Sequence, residues 1–194
     1  APATRIWLQP SAALSFALFA RLRGVRYDVV IDAKRAVAGR IAPAQRRIWP
    51  AQAPLLRHRA EDWADALGAE RALAPRLWID EEARTAAAAI APDSAPLLVL
   101  APGGAQAGKR WPLERFAAVA RRLDGGPLRG ARIAIMGAAA RDAAITAAIV
   151  RSLDADGVAA SDLGLSPDLL AAAALMERAT LVIGNDNALC HIAA

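Results

Sequence analysis

Two short stretches carry residue types that could grip an anion. The first is Leu98-Val99-Leu100-Ala101-Pro102-Gly103-Gly104-Ala105-Gln106-Ala107-Gly108-Lys109-Arg110-Trp111-Pro112. An apolar run leads into a loop with three glycines, then two cations, then a helical pattern. Glycines let backbone N–H groups approach an anion closely. Lys109 and Arg110 add charge, and the following helix presents its positive end. A diphosphate is the ligand these parts suit. The spacing is neither a Walker A loop nor a dinucleotide-binding G-x-G-x-x-G. An ordinary strand-to-helix loop with exposed cations would read the same way locally.

The second stretch is Leu181-Val182-Ile183-Gly184-Asn185-Asp186-Asn187-Ala188-Leu189-Cys190-His191. A buried strand ends at a polar turn where a helix begins. Asn185, Asp186 and Asn187 suit turns and N-caps. His191 falls in the first turn of the new helix, within reach of a phosphate or a carboxylate. Each of these residues alone is commonplace at a cap, and Cys190 reads as a small buried filler rather than a reactive thiol. His58 reads as a surface residue. Asp28 and Asp32 flank a strand without a second carboxylate spaced for acid–base work. No nucleophile elbow and no metal-ligand spacing is present.

The elements that must position these stretches alternate. Leu97–Ala101, Arg132–Met136, Val158–Ser161 and Leu181–Gly184 read as strands. Leu113–Leu123, Arg141–Leu153 and Pro167–Arg178 read as helices between them, with a further helix starting near Leu189. That alternation predicts a parallel sheet with helices on both faces, binding its ligand beyond the carboxyl ends of the strands. Upstream the pattern is looser: strands at Arg5–Leu8, Tyr27–Asp32 and Arg46–Trp49, and helices at Ser11–Leu22, Lys34–Ile41, Arg57–Leu67 and Glu81–Ile90. Pro75–Asp80 reads as extended or irregular. Ala91–Pro96 is a Pro/Ser/Asp cluster and the expected boundary, dividing residues 1–92 from residues 93–194.

Composition sets the class. The chain has 194 residues, 56% hydrophobic and 22% charged, which is a globular balance. Alanine dominates the apolar count, so the core is expected to rely on Leu, Ile, Val and the five Trp. The net charge is +5, carried almost wholly by arginine, which suits an anionic partner. No basic block with interleaved aromatics points to nucleic acid. One cysteine excludes an internal disulfide, and a reducing compartment is the expectation. Ala12–Ala20 is too short to span a bilayer, although Arg21, Arg23 and Arg26 beside it would suit a membrane surface. Both ends read as internal to a longer chain.

The string PGGAQAGKRWPLERFAAVARRL resembles the "P-G-A…K-x-W-P…F…L" signature of the bacterial heptosyltransferases, glycosyltransferase family 9. VIGNDNALCHIAA resembles the family's "v-x-N/D-D-T-G-x-x-H-x-A-A". RYDVVIDAK resembles its "Y-D-x-V-I-D-L-Q" strand, and RHRAEDWADALG the helix that follows. The matches fall in the family's order and cover roughly Arg5 to Ala194.

The resemblance implies an α/β, GT-B-like architecture of two Rossmann-like domains with parallel sheets. Residues 1–92 would be an incomplete acceptor-side domain. Residues 93–194 would be a nucleotide-sugar-binding domain cut short at its C-terminus. It implies an inverting transfer of heptose from ADP-heptose to the lipopolysaccharide core, with no cofactor and no metal. The partners would be the nucleotide-sugar donor and an anionic lipid acceptor. The implied location is the cytoplasm, extending to a peripheral position on the inner membrane. Carried over by motif, Lys109 would neutralise the donor diphosphate, and Gly103, Gly104 and Ala105 would form the loop that approaches it. Asp186, Asn187, Ala188 and His191 would make the second diphosphate and sugar site. Leu165 would pack on the base, and Asp142 would contact the ribose. The family's Asp-Thr-Gly reads Asp186-Asn187-Ala188 here, and Ala105 replaces a frequent hydroxyl residue. Those departures leave open a catalytically degenerate paralogue or scaffold. The general base is implied upstream of Ala1, so these residues alone are expected to bind donor without transferring sugar.

Overall fold

The structure, a computed structural model, describes residues 22, 24–33, 37–51, 57–72, 74–92, 95–104, 106–137, 140–164 and 168–194. The side chains of Ala38 and Arg141 lie outside the description, as do the expected strand Arg5–Leu8 and nearly all of the helix expected at Ser11–Leu22. The chain forms two compact units, one ending at Arg76 and the other running from Leu77 to Ala194.

In the first unit, β1 (Tyr27–Ile31) pairs in parallel with β2 (Ala44–Ile48), with α1 (Val37–Ile41) between them in sequence. A small core gathers Leu22 and Ala42 with Tyr27 and Val30. Helix α2 (Arg59–Leu67) starts at His58, whose Nδ1 accepts the Ala60 N–H at 3.2 Å. His58 is therefore an N-cap and not merely a surface residue. The helix ends at Gly68, whose φ of 72° is the left-handed conformation that favours glycine.

The second unit begins with α3 (Glu81–Ile90), capped by Asp80 through its bond to the Ala83 N–H at 2.9 Å. It continues through β3 (Leu97–Ala101), α4 (Leu113–Asp124), β4 (Arg132–Met136), α5 (Ala143–Asp154) and β5 (Ala160–Gly164). It closes with α6 (Leu169–Glu177), β6 (Leu181–Gly184) and α7 (Ala188–Ala193). The sheet order is β5-β4-β3-β6, with every pair parallel.

Each face of this sheet has its own core. Leu98, Leu100, Ile133 and Ile135 meet Phe116, Ala117 and Ala120 of α4 and Ile149 and Leu153 of α5. On the other face, Leu97, Val99, Ala101, Ala134 and Met136 meet α3, α6 and Leu189 of α7. That second core corrects the expectation from composition. It is built mainly on alanines, including Ala83, Ala87, Ala171, Ala172 and Ala174, while Trp78 and Trp111 stand exposed. Small contact residues allow packed helices to approach closely. For the same reason the boundary falls earlier than Ala91–Pro96. Helix α3 packs on α6 through its alanine stripe, and Arg84 reinforces the contact with a salt bridge to Glu177. Arg178 adds two bonds to the Ala91 carbonyl, at 3.1 and 2.6 Å. No helix among the described residues is long and apolar enough to cross a membrane.

Candidate functional site

β3 and β6 are neighbours in the sheet, and Ala101 pairs with Gly184 at their carboxyl ends. From there the chain leaves in opposite directions. β3 leads to α4 on one face, and β6 leads to α7, whose Leu189 packs on the other. Such a reversal at the carboxyl ends of the strands is the usual ligand position in open parallel sheets. Both anion-suited stretches of the sequence lie at this point.

Three side chains meet there. Lys109 Nζ donates to Asp186 Oδ2 at 2.8 Å, and His191 Nε2 lies 3.0 Å from Asp186 Oδ1. Residues 77 positions apart in the chain thus share one carboxylate. The hydrogen bond from Lys109 foremost, then that from His191, holds the Asp186 carboxyl below its ordinary range. All three side chains are more than half exposed, at 54%, 55% and 75% for Lys109, Asp186 and His191. Water screens such pairs, so the cluster is better suited to meeting a ligand than to holding the fold together.

The loops beneath the cluster are sewn tightly. Asn185 Nδ2 donates to the Pro102 carbonyl at 2.7 Å, and its Oδ1 accepts the Trp111 N–H at 2.9 Å. Asn187 Nδ2 donates to the carbonyls of Ala101 and Gly103, both at 2.9 Å. Its Oδ1 caps α7 by accepting the Cys190 N–H at 3.1 Å. Arg110 Nε donates to the Gly104 carbonyl at 2.8 Å.

These bonds sort the residues expected to form the site. Lys109, Asp186 and His191 come together. Gly103 and Gly104 lie buried just inside the loop. A methyl on Gly103 would fall 2.4 Å from Asp142 Oδ2, so the glycine makes room for that carboxylate. Asp142, expected to contact a ribose, is instead 0% exposed at the start of α5 and backs the loop from within. Asn187, expected to reach the ligand, has its amide engaged by the fold. Ala188 opens α7 with helical backbone, so its methyl carries no left-handed strain. Ala105 and Leu165 lie outside the described residues. Sequence reasoning missed the clasping role of Asn185 and the loop-bracing role of Arg110. The available signal was an amide side chain directly after a strand, able to donate and accept at once.

Gly184 lets β6 come this close. A methyl there would stand 2.4 Å from Cys190 Sγ and 2.7 Å from the Ala101 carbonyl oxygen. The thiol could swing aside, but the carbonyl is fixed in β3 and already accepts from Asn187. Gly184→Ala is therefore expected to destabilise the second unit by about 1–3 kcal/mol, the usual cost of overpacking. A urea midpoint equal to wild type would contradict that close approach. Burial pushes the Cys190 thiol up from its ordinary pKa, with the Asp186 charge adding to the shift, which fits a packing role.

Among the described residues, no group of three or more His, Cys, Asp or Glu side chains is gathered to hold a metal ion. No curated protein sequence gave a significant match. The fold is similar to that of the Escherichia coli ADP-heptose lps heptosyltransferase II, with a TM-score of 0.66 and 19% identity over 93% of this chain and 62% of that one. It is similar to a glycosyl transferase family 9 structure from Veillonella parvula DSM 2008, with a TM-score of 0.63 and 22% identity over 85% and 47%. It is also similar to E. coli heptosyltransferase WaaC with ADP-2-deoxy-2-fluoro heptose, with a TM-score of 0.61 and 19% identity over 96% and 64%. The chain spans less than two thirds of the length of each. The architecture is thus α/β with parallel sheets, as in these GT-B proteins. A sequence model of one family matches residues 45–194, more than half of the chain, and the chain belongs to that family: glycosyltransferase family 9 (heptosyltransferase).

Proposed function

We propose that the second unit binds the diphosphate of a nucleotide-sugar donor, ADP-heptose, for inverting transfer of the sugar to the lipopolysaccharide core at the inner membrane surface. The convergence of Lys109, Asp186 and His191 at the carboxyl ends of β3 and β6 carries this reading. Similar folds solved with ADP and with ADP-2-deoxy-2-fluoro heptose support the choice of donor. Lys109 and the loop amides would stabilise the charge that grows on the departing nucleotide diphosphate. In this reading the protein's own cation does that work, and no metal or cofactor is assigned a part. The acceptor hydroxyl would lose its proton to a carboxylate acting as general base.

The test is a melting-temperature screen over ADP, GDP, UDP, their sugars and NAD. ADP or an ADP-sugar at a hundred times its Kd should add about 2.7 kcal/mol of stability, a shift of several degrees. A shift with NAD alone would replace this reading with that of a different doubly wound enzyme. A second reading, a nucleotide-sugar-binding paralogue without catalysis, is favoured by Asn187-Ala188 in place of the family's Thr-Gly. Donor binding by the full-length protein without transfer or hydrolysis would select it.

A further inference from the structure

One buried side chain reaches both ends of the glycine-rich loop. Asn185 is 8% exposed. Its single amide group binds Pro102 where the loop leaves β3 and Trp111 where the loop meets α4. Asn187 adds the carbonyls of Ala101 and Gly103. Three successive carbonyls are thus held from the β6 side. In a trans peptide the N–H of the next residue points away from the carbonyl. Fixing the Pro102 and Gly103 carbonyls therefore fixes the direction of the Gly103 and Gly104 N–H groups. The Trp111 bond anchors the chain two residues beyond Lys109.

We infer that Asn185, supported by Asn187, is a positioning residue that sets where Lys109 stands relative to the Asp186–His191 turn. Asparagine suits the task because one planar group supplies both a donor and an acceptor. Alanine removes both bonds. Aspartate keeps an acceptor for the Trp111 N–H but sets a carboxylate oxygen against the Pro102 carbonyl. The link to Lys109 rests on the diphosphate reading only where binding is measured, because the ordering of the loop needs no ligand.

The test therefore has two arms, both on the full chain with melting curves as the folding control. In the first, hydrogen exchange is followed in ligand-free wild type, Asn185→Ala and Asn185→Asp. Asn185→Ala should speed exchange at Gly103, Gly104 and residues 106–111 by about tenfold or more, while β3 and β4 keep their protection. Asn185→Asp should fall between, with the Trp111 amide still slowed. In the second, ADP affinity is measured by calorimetry for wild type, Asn185→Ala, Lys109→Ala and the double variant. Asn185→Ala should weaken ADP by about tenfold. Because part of its effect passes through Lys109, the double variant should lose clearly less than the sum of the two single losses.

Unchanged loop exchange, or a uniform loss of protection across the whole unit, would overturn the positioning role. So would full additivity of the two binding losses. Should Asn185→Ala fail to fold, Asn185→Asp decides by the same criteria. If wild type binds no ADP, the diphosphate reading falls, and the exchange arm still decides whether Asn185 orders the loop.

Discussion

An alanine at Phe116 is expected to lower the unfolding free energy of the second unit by about 3–5 kcal/mol, at the upper end for large-to-small core changes. Phe116 is 1% exposed and packs with Leu98, Leu100, Ile133 and Ile135 on the α4 face of the sheet. The space it would leave has no ready filler. Its neighbours on the buried stripe of α4 are Ala117 and Ala120, which have no side-chain length to swing inward. The ring also meets Trp111 edge to face, with centroids 5.1 Å apart and planes at 78°. Such contacts contribute about 0.5–1.5 kcal/mol beyond the area they bury. Urea melts of Phe116→Ala and Phe116→Leu separate these effects, since leucine restores much of the volume but not the ring contact. A loss below about 1 kcal/mol for Phe116→Ala would mean that the sheet face collapses around the gap, contrary to the packing seen.

That core also shows which features the sequence discloses. β3, β4, β6 and α3 lie where apolar runs and acidic first turns put them. β5 runs over Ala160–Gly164 rather than Val158–Ser161 because Asp162 is polar yet stays in the strand. Its carboxylate accepts from Thr146 Oγ1 at 3.0 Å and from the Gly164 N–H at 2.9 Å, partners no local pattern reveals. Strand order is equally hidden, because pairing β3 with β6 joins segments about 80 residues apart. The alanine core was misjudged for a related reason. Alanine buries little area by itself, and its value appears only when α3 and α6 are found face to face.

The site divides along the same line. Lys109, Asp186 and His191 were legible because parallel strands all deliver their following loops to one sheet edge. Asn187 and Asp142 were legible as residues near the site, but their direction was not. Asn187 turns its amide toward backbone carbonyls, and Asp142 is sealed behind Gly103. A hydrogen-bond partner is a property of three-dimensional placement, and a motif records only residue type and spacing.

The direction of Lys109 leads to the second large effect, on binding rather than folding. Lys109→Ala is expected to weaken ADP binding by about 1.5–3 kcal/mol, roughly 10- to 150-fold, the scale of a charge-assisted hydrogen bond. The exposure of the pair shows why stability should barely respond. The lysine is 54% exposed and its partner Asp186 is 55% exposed, so water replaces their bond readily. An ADP diphosphate offers more negative charge than one carboxylate and can draw the ammonium away from Asp186 or share it. The loss should therefore shrink as salt rises, since exposed charges are screened within about 10 Å at 0.1 M ionic strength. Acid gives a further check with a definite sign. Lys109 holds the folded-state pKa of Asp186 down, so the pairing is complete above the ordinary carboxylate range and is lost as pH falls through the lowered value. At neutral pH Asp186 stays ionised and Lys109 stays paired. Calorimetry above the ordinary carboxylate range should thus show no step from Asp186 in the Lys109→Ala penalty. Equal ADP affinity in wild type and Lys109→Ala at low salt would remove this lysine from the site and leave the shared carboxylate a surface ornament of the fold.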